Sequence, residues 1–336
     1  MGKNGKSVQI NLQGDHRPMK ETCLFCGADE IFPYILGVRD HLRIAPQKHN
    51  FFRCKKCDSL RLVPLPTKEY LEKNYPLECH FHKDSGSWLR KLYNHFEWKL
   101  FYHPVLQFSN NLIIKETKIF SGRVLDVGCG NGLRLLQFSK AGYEAEGIDF
   151  ASVNVQYARD VLGLNVWKAN IEETDFPLHR YHLLVVYWVL EHLGKPMELV
   201  SKAKNSLIPN GWVIFAVPLA DSWVSSIFQD FWGQIREAPR HICIPSSKGM
   251  FILLEKNGFK NIKAKPASTL ELAGDMALTL WPRGNFFRTT GRWAILKILD
   301  RMVVGLLTLL GIPLVVLLKT LRVKQGLTVF FAQKGE

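Results

Sequence analysis

Short apolar runs alternate with amphipathic stretches through the middle of the chain. Arg123 to Val127 and Glu144 to Ile148 read as strands, the second ending in Asp149. Leu183 to Tyr187 and Trp212 to Val217 are continuous apolar runs, the pattern of strands buried on both faces. Between them residues 132–140, Val153 to Val161 and about Pro196 to Leu207 read as helices, and the turn Pro209-Asn210-Gly211 leads into Trp212. A helix at Ser247 to Asn257, a strand at about Asn261 to Lys265 and a final strand at Thr328 to Gln333 follow. Strands alternating with helices predict an α/β fold built on a parallel sheet.

The flanks have other periods. Trp88, Leu89, Leu92, Tyr93, Phe96, Leu100 and His103 recur at three- and four-residue spacing, which predicts an amphipathic helix that either packs over the catalytic domain or acts as a lid on the substrate. Met302 to Leu318 carries no charge for 17 residues, at the lower limit for crossing a bilayer. Gly311-Ile312-Pro313 interrupts it, so helices from about Arg292 to Leu310 and from Pro313 to Leu321 are expected to meet at a kink.

Length and charge sharpen this picture. The chain has 336 residues, enough for a catalytic domain and further modules, and its 47% hydrophobic and 22% charged content is globular. Of the net charge of +14, an excess of seven lies in one segment. Arg283, Arg288, Arg292, Lys297, Arg301, Lys319, Arg322 and Lys324 stand there against the single acid Asp300. These basic residues flank a long apolar run and stand beside Trp281, Phe286, Phe287 and Trp293, which favours a membrane surface over nucleic acid as partner. Positive charge at both outer ends suits a re-entrant or interfacial hairpin with both ends cytoplasmic. A buried hairpin, at a dimer interface for example, is the alternative. The polar start Met1-Gly2-Lys3-Asn4-Gly5-Lys6 has no apolar run behind it, so no secretory signal and a cytoplasmic, reducing location are expected.

Four of the seven cysteines are paired in spacing. Cys23-x2-Cys26 and Cys54-x2-Cys57 are two knuckles whose thiolates can reach one ion, and in a reducing compartment they read as a structural Zn2+ site with every position filled by protein. Gly27 and Asp58, just after each pair, suit the tight turns required.

The densest chemistry lies at Val124-Leu125-Asp126-Val127-Gly128-Cys129-Gly130-Asn131-Gly132. Glycines at alternate positions where strand turns into helix admit close approach of a ligand lying across the carboxyl edge of the sheet. Asp149, 23 residues after Asp126 and at the end of the next strand, is placed to accept hydrogen bonds from a ribose diol. The glycine spacing differs from the dinucleotide fingerprint and resembles the first motif, D-x-G-x-G-x-G, of class I S-adenosylmethionine-dependent methyltransferases.

The resemblance covers roughly residues 120 to 265. Tyr187-Trp188-Val189-Leu190-Glu191-His192-Leu193 after the fourth strand, Ile208-Pro209-Asn210-Gly211, Val217-Pro218, Phe231-Trp232-Gly233, Pro239-Arg240-His241 and Glu255-Lys256-Asn257-Gly258-Phe259 are similar, in order, to blocks of the type 11/12/23 group. The zinc knuckles also resemble those of sugar C-methyltransferases. This implies a Rossmann-like seven-stranded sheet whose last two strands are adjacent and antiparallel, with the apolar hairpin inserted before the last. The expected organisation is then a zinc-ribbon-like module over 1–66, a helical lid or linker over 67–120, a methyltransferase domain over 121–268 plus 326–334, and the basic apolar hairpin over 269–325.

The resemblance implies S-adenosyl-L-methionine bound by Asp126, Gly128, Cys129, Gly130, Gly132, Asp149, Phe150, Asn170, Ile171 and Tyr187, with adenine at Asn170 and Ile171. In the related ubiquinone-pathway O-methyltransferases a Glu-x-x-Glu-His cluster binds a divalent ion. Here Glu191 and His192 remain, but Trp188 takes the first position and removes one ligand. His192 and His241 are then the candidate bases for a hydroxyl acceptor, with Glu191 beside them, and Arg240 is placed to hold an anionic acceptor. The expected function is methyl transfer to a small-molecule, glycan or lipid-linked acceptor at a membrane face. The alternatives are a zinc-ribbon RNA methyltransferase and a non-catalytic partner that binds S-adenosylmethionine.

Overall fold

The structure, a computed structural model, describes residues 21–74, 96, 98–282 and 294–336. The start of the chain, Trp88, Leu89, Leu92 and Tyr93 of the expected lid helix, and the basic aromatic cluster from Arg283 to Trp293 lie outside the described residues.

The N-terminal part contributes β1 (Ile31–Arg39), β2 (Lys48–Cys54), β3 (Leu60–Leu62) and helix α1 (Lys68–Asn74). A π-helical turn, Trp98–Tyr102, runs into α2 (His103–Thr117). The alternating unit follows as β4 (Arg123–Val127), α3 (Leu133–Lys140), β5 (Glu144–Asp149), α4 (Ser152–Asp160), β6 (Asn165–Lys168), β7 (Tyr181–Tyr187), α5 (Pro196–Ser206) and β8 (Leu207–Pro218). After β8 come two short helices, α6 (Trp223–Phe228) and α7 (Gly233–Arg236), then β9 (Cys243–Ile244), α8 (Ser247–Lys256), β10 (Phe259–Pro266), α9 (Thr269–Leu280), α10 (Ala294–Thr320) and β11 (Leu327–Lys334).

Seven strands form one sheet in the order β10, β11, β8, β7, β4, β5, β6. The five strands from β8 to β6 are parallel, and β11 is antiparallel to both β8 and β10. This is the Rossmann-like topology that the motifs imply, with β11 returning after an inserted pair of helices. The central strands are buried on both faces because their runs are apolar throughout, as in Leu183 to Val186 and Val213 to Val217. The expected turn at Pro209-Asn210-Gly211 is taken into β8 as a register irregularity against β7, with Asn210 at φ +63. Caps fix the starts of the later helices. Ser246 accepts from Gly249 N at the start of α8, and Ser268 and Glu271 form a capping box on α9.

The N-terminal sheet has the order β1, β2, β3, β9, so its last strand comes from far along the chain. One apolar core holds Phe25, Ile31 and Phe52 together with Leu125, Ile148, Val186 and Phe215 of the large sheet. A buried ion cluster strengthens the seam. Arg240 grips Asp40 through two bonds of 2.8 and 3.1 Å and also pairs with Glu237, which reaches His41 at 3.0 Å. Burial would raise the Asp40 carboxyl, but Arg240 outweighs it and holds the group below its ordinary value. Arg240 is therefore consumed in joining the two parts, which corrects the expectation that it holds an anionic acceptor.

The inserted segment is helical, but its arms are α9 and α10, and no break falls at Gly311-Ile312-Pro313. Gly311 lies inside α10, where a Cβ would stand 2.4 Å from Met276 Cε of α9. Its glycine serves close approach of the two helices. Pro313 sits within the continuous helix at the loss of one backbone hydrogen bond.

Arg240→Met leaves Asp40 buried without its guanidinium. A stability loss of about 3 kcal/mol or more is expected in urea unfolding. A loss under about 1 kcal/mol would show that the cluster does not hold the seam.

Candidate active site

The β4 to α3 turn is built by three left-handed glycines, at φ +72 for Gly128, +54 for Gly130 and +80 for Gly132. Their reasons differ. A Cβ on Gly128 would stand 2.4 Å from Val189 Cγ2, and one on Gly132 would meet Leu164 and Ala158 at 2.8 and 3.0 Å, so both are glycine for packing. Nothing lies within 4 Å of the corresponding position on Gly130. Gly130 borders a cavity of about 1260 Å3 that Asp126, Gly128, Cys129, Asp149, Phe150, Asn170, Ile171 and Tyr187 also line. Gly132 is the one expected cofactor residue that lies off this cavity, at the start of α3.

Asp149 ties the turn to the next unit. Its Oδ2 accepts from Gly130 N at 2.9 Å, while Oδ1 accepts from Ala151 N at 2.9 Å and Asn154 Nδ2 at 3.2 Å. A carboxylate has about four acceptor sites, so one remains, on Oδ2, for a ligand hydroxyl. Asn170 Oδ1 accepts from Glu172 N at 3.1 Å and shapes the loop after β6. Asp126 is 2% exposed, and burial pushes its carboxyl up to about 7 against the opposing pull of Arg134.

Glu191, His192 and His241 meet although 49 positions separate the two histidines in the chain. Each offers a ligand atom within 4.8 Å of the others, so the third donor that Trp188 removes is replaced in space by His241 and the trio can hold a divalent ion. The imidazoles stand 4.7 Å apart. His192 Nδ1 donates to Arg240 O and His241 Nδ1 to Gln234 O, both at 2.9 Å, because a carbonyl can only accept. Each ring therefore carries its lone pair on Nε2. His192 borders the cavity, whereas His241 and Glu191 lie behind it. Burial pushes His241 down to about 3 and Glu191 up to about 8, and Glu191 Oε2 is buried without a hydrogen-bond partner.

The cavity wall includes residues that the motifs did not single out. Arg134 lies over the Tyr187 ring at 3.5 Å. Trp98, Phe101 and Tyr102 come from the π-helical turn, Leu270 and Gly274 from α9, and Val304, Gly305 and Thr308 from α10. Trp188 adopts φ +57 at the end of β7, a conformation uncommon for a bulky residue, and its N–H donates to Ala216 O at 3.0 Å. The stripe expected at Phe96, Leu100 and His103 is exposed, and the wall is formed by Trp98, Phe101 and Tyr102, which that spacing did not single out. Arg134 carried no signal beyond its place in the helix after the glycines.

The four paired cysteines converge as their spacing predicts. All are buried, with Cys23 and Cys57 sulfurs 3.5 Å apart and Cys26 and Cys54 sulfurs 3.5 Å apart. That is far longer than a disulfide and close to the roughly 3.8 Å edge of a tetrahedral zinc–thiolate site. Gly27 at φ +71 and Asp58 at φ +64 close the two knuckles. The donor set and its geometry fit zinc.

The three glycines divide between fold and site. Gly130→Ala is expected to keep the fold, at a backbone cost of about 1 kcal/mol, yet to weaken cofactor binding at least tenfold in calorimetry. Gly128→Ala is expected to destabilise the chain by more than Gly130→Ala in thermal unfolding. Equal stability losses, or unchanged binding by Gly130→Ala, would refute this division.

A methyltransferase domain profile matches residues 93–264. Curated relatives include the ubiquinone biosynthesis O-methyltransferase of Actinobacillus pleuropneumoniae serotype 5b, 27% identical over 112 residues that cover 30% of this chain and 48% of that protein. That of Serratia proteamaculans is 30% identical over 113 residues, 32% and 47% of the two chains. The chain spans about half the length of these curated relatives. An uncharacterized protein of Methanocaldococcus jannaschii is 26% identical over 164 residues, 47% of this chain and 77% of that one. Among solved structures, phosphoethanolamine N-methyltransferase 2 of Haemonchus contortus bound to S-adenosyl-L-methionine superposes with TM-score 0.46 at 16% identity, over 68% of this chain and 52% of that one. A SAM-dependent methyltransferase of Archaeoglobus fulgidus gives 0.43 at 18%, over 72% and 99%. With the profile spanning half of the chain, the protein belongs to the methyltransferase domain family.

Proposed function

We propose that this enzyme transfers the methyl group of S-adenosylmethionine to a small-molecule, glycan or lipid-linked acceptor at the cytoplasmic face of a membrane. The observation that carries the acceptor reading is the double use of α10. Leu299–Thr320 is a 22-residue apolar stretch of mean hydropathy 2.4, long enough to cross a membrane, and only 17% of its apolar window is buried. Leu306, Leu309, Leu310, Leu314 and Leu317 are exposed on it, while Val304, Gly305 and Thr308 line the cavity. One helix thus offers an apolar face outward and a wall to the site inward, which suits an interfacial segment serving an amphipathic acceptor.

In this reading the cofactor lies across the carboxyl edge of the sheet, with adenine at Asn170 and Ile171, a ribose hydroxyl on Asp149, and its sulfonium and ammonium charges toward Asp126. Phe150, Cys129 and Tyr187 flank it. Transfer to a hydroxyl is an in-line displacement in which the acceptor oxygen bonds to the methyl carbon as the carbon–sulfur bond breaks. The thioether leaves neutral, and His192 Nε2 takes the hydroxyl proton. The O-methyltransferase activity of the ubiquinone biosynthesis relatives supports an oxygen acceptor. The cysteine cluster holds one structural Zn2+, which metal analysis of the purified protein reads as one equivalent lost in Cys54→Ser.

The pH dependence follows from Asp126. Its carboxyl, at about 7, binds a cationic ligand in the ionised form, so affinity falls as pH drops through 7 and rises above it. Calorimetry between about pH 6 and about pH 8 is expected to show about tenfold tighter binding at the higher pH. Asp126→Asn should flatten the profile, and an unchanged slope in that variant would remove Asp126 from this role.

The acceptor class is tested with methyl-labelled cofactor and a cell extract. Label is expected in the lipid or sugar fraction, and the full-length protein is expected to sediment with membranes. Label in RNA alone would turn the reading to a zinc-ribbon RNA methyltransferase, with which the +14 charge and the cysteine cluster are compatible. Full-length protein that stays in the supernatant without detergent would overturn membrane attachment.

A further inference from the structure

Arg134 is held in a way that no neighbour explains. Its guanidinium carbon stands over the Tyr187 ring, 3.5 Å from the ring centre. Its Nη1 is buried and makes no hydrogen bond, and the Tyr187 hydroxyl, also buried, has only the Ser109 hydroxyl as a side-chain partner. Asp126 and Glu271 are near enough to feel its charge, yet among the described residues no carboxylate pairs with it. A buried N–H of a cation without an acceptor is costly, and a cation in that state beside a cavity calls for an anion from outside the protein.

The sheet order says which part of the cofactor meets it. Along the carboxyl edge the strands run β6, β5, β4, β7, so Asn170, Asp149, the glycine turn and Tyr187 follow one another. From Asp149 at the end of β5 to Tyr187 at the end of β7 is two strand spacings, about 10 Å. An extended four-carbon amino acid on the 5′ sulfur of a ribose held at Asp149 points that way. We propose that Arg134, stacked on Tyr187, is the receptor for the α-carboxylate of the cofactor, with the Tyr187 hydroxyl as a second donor. The assignment rests on the cofactor placement proposed above. Charges then complement along the ligand: the cationic sulfonium and ammonium face Asp126, and the carboxylate faces Arg134. A guanidinium forks onto a carboxylate with two parallel bonds, and the Tyr187 ring holds the fork in plane. Arg134 lies two residues beyond the last glycine of the motif.

The test uses two ligands that differ in the amino-acid tail. S-adenosylhomocysteine keeps it, and 5′-methylthioadenosine has the same nucleoside and a sulfur but no carboxylate. Both are titrated calorimetrically into the full-length protein and into Arg134→Gln. Wild type that binds neither ligand would overturn the cofactor placement itself, and this inference with it. Given wild-type binding of both, Arg134→Gln is expected to weaken S-adenosylhomocysteine about 30-fold while 5′-methylthioadenosine changes less than about twofold. Equal weakening of both ligands, or no change in either, overturns the assignment. Should Arg134→Gln fail to fold by thermal melting, Arg134→Lys keeps the charge and loses the fork and stack. An intermediate loss of about fivefold, confined to S-adenosylhomocysteine, is then expected, and an unchanged affinity overturns the assignment.

Discussion

The carboxylate of Asp149 bears on every part of the site. It ends β5, accepts the Gly130 N–H that fixes the glycine turn, and accepts from Ala151 and Asn154 at the start of α4. The turn is otherwise held by Gly128 and Cys129 N–H groups on the Ile148 carbonyl, so the end of β5 closes it from one side. Left-handed glycines have little intrinsic preference for a single conformation. The hydrogen bonds to the end of β5 select one, and the open side of Gly130 becomes the cavity floor. Asn170 continues the same edge after β6, and Trp188 at its left-handed φ ends it after β7.

Much of this was legible in the chain because it is local. Each strand of the alternating unit, the two Cys-x2-Cys knuckles and the glycine turn depend on residues within a few positions of one another, so periodicity and turn chemistry expose them. What was hidden depends on distant contacts. β9 is two residues long and exists only because β3 lies beside it. Arg240 reads as a free cation next to a histidine until Asp40, 200 positions earlier, is brought against it. At Gly311 and Pro313 local rules predict a break, but packing decides otherwise. The missing Cβ at Gly311 lets Met276 approach, and the contact with α9 stabilises the helix through the proline.

The two histidines show how the same distant folding assigns unequal parts to residues that look alike in sequence. Both rings are fixed by Nδ1 on a backbone carbonyl, which sets the tautomer and leaves the lone pair on Nε2. Burial then separates them. His241, behind the cavity wall and pushed down to about 3, stays neutral across the physiological range. A second cation 4.7 Å from His192 would oppose any proton that His192 accepts. Keeping His241 neutral removes that opposition, and the Glu191 carboxyl, pushed up to about 8 by burial, gains ionised character beside a newly charged imidazole. His192 is the one imidazole of the pair that borders the cavity. The cluster's dependence on β9 and the loop before it explains why the N-terminal sheet is stitched so firmly to this region. The Ile242 N–H that donates to Glu191 O sits between His241 and the strand that completes that sheet, so the position of Glu191 and the two histidines is set from both sides of the seam.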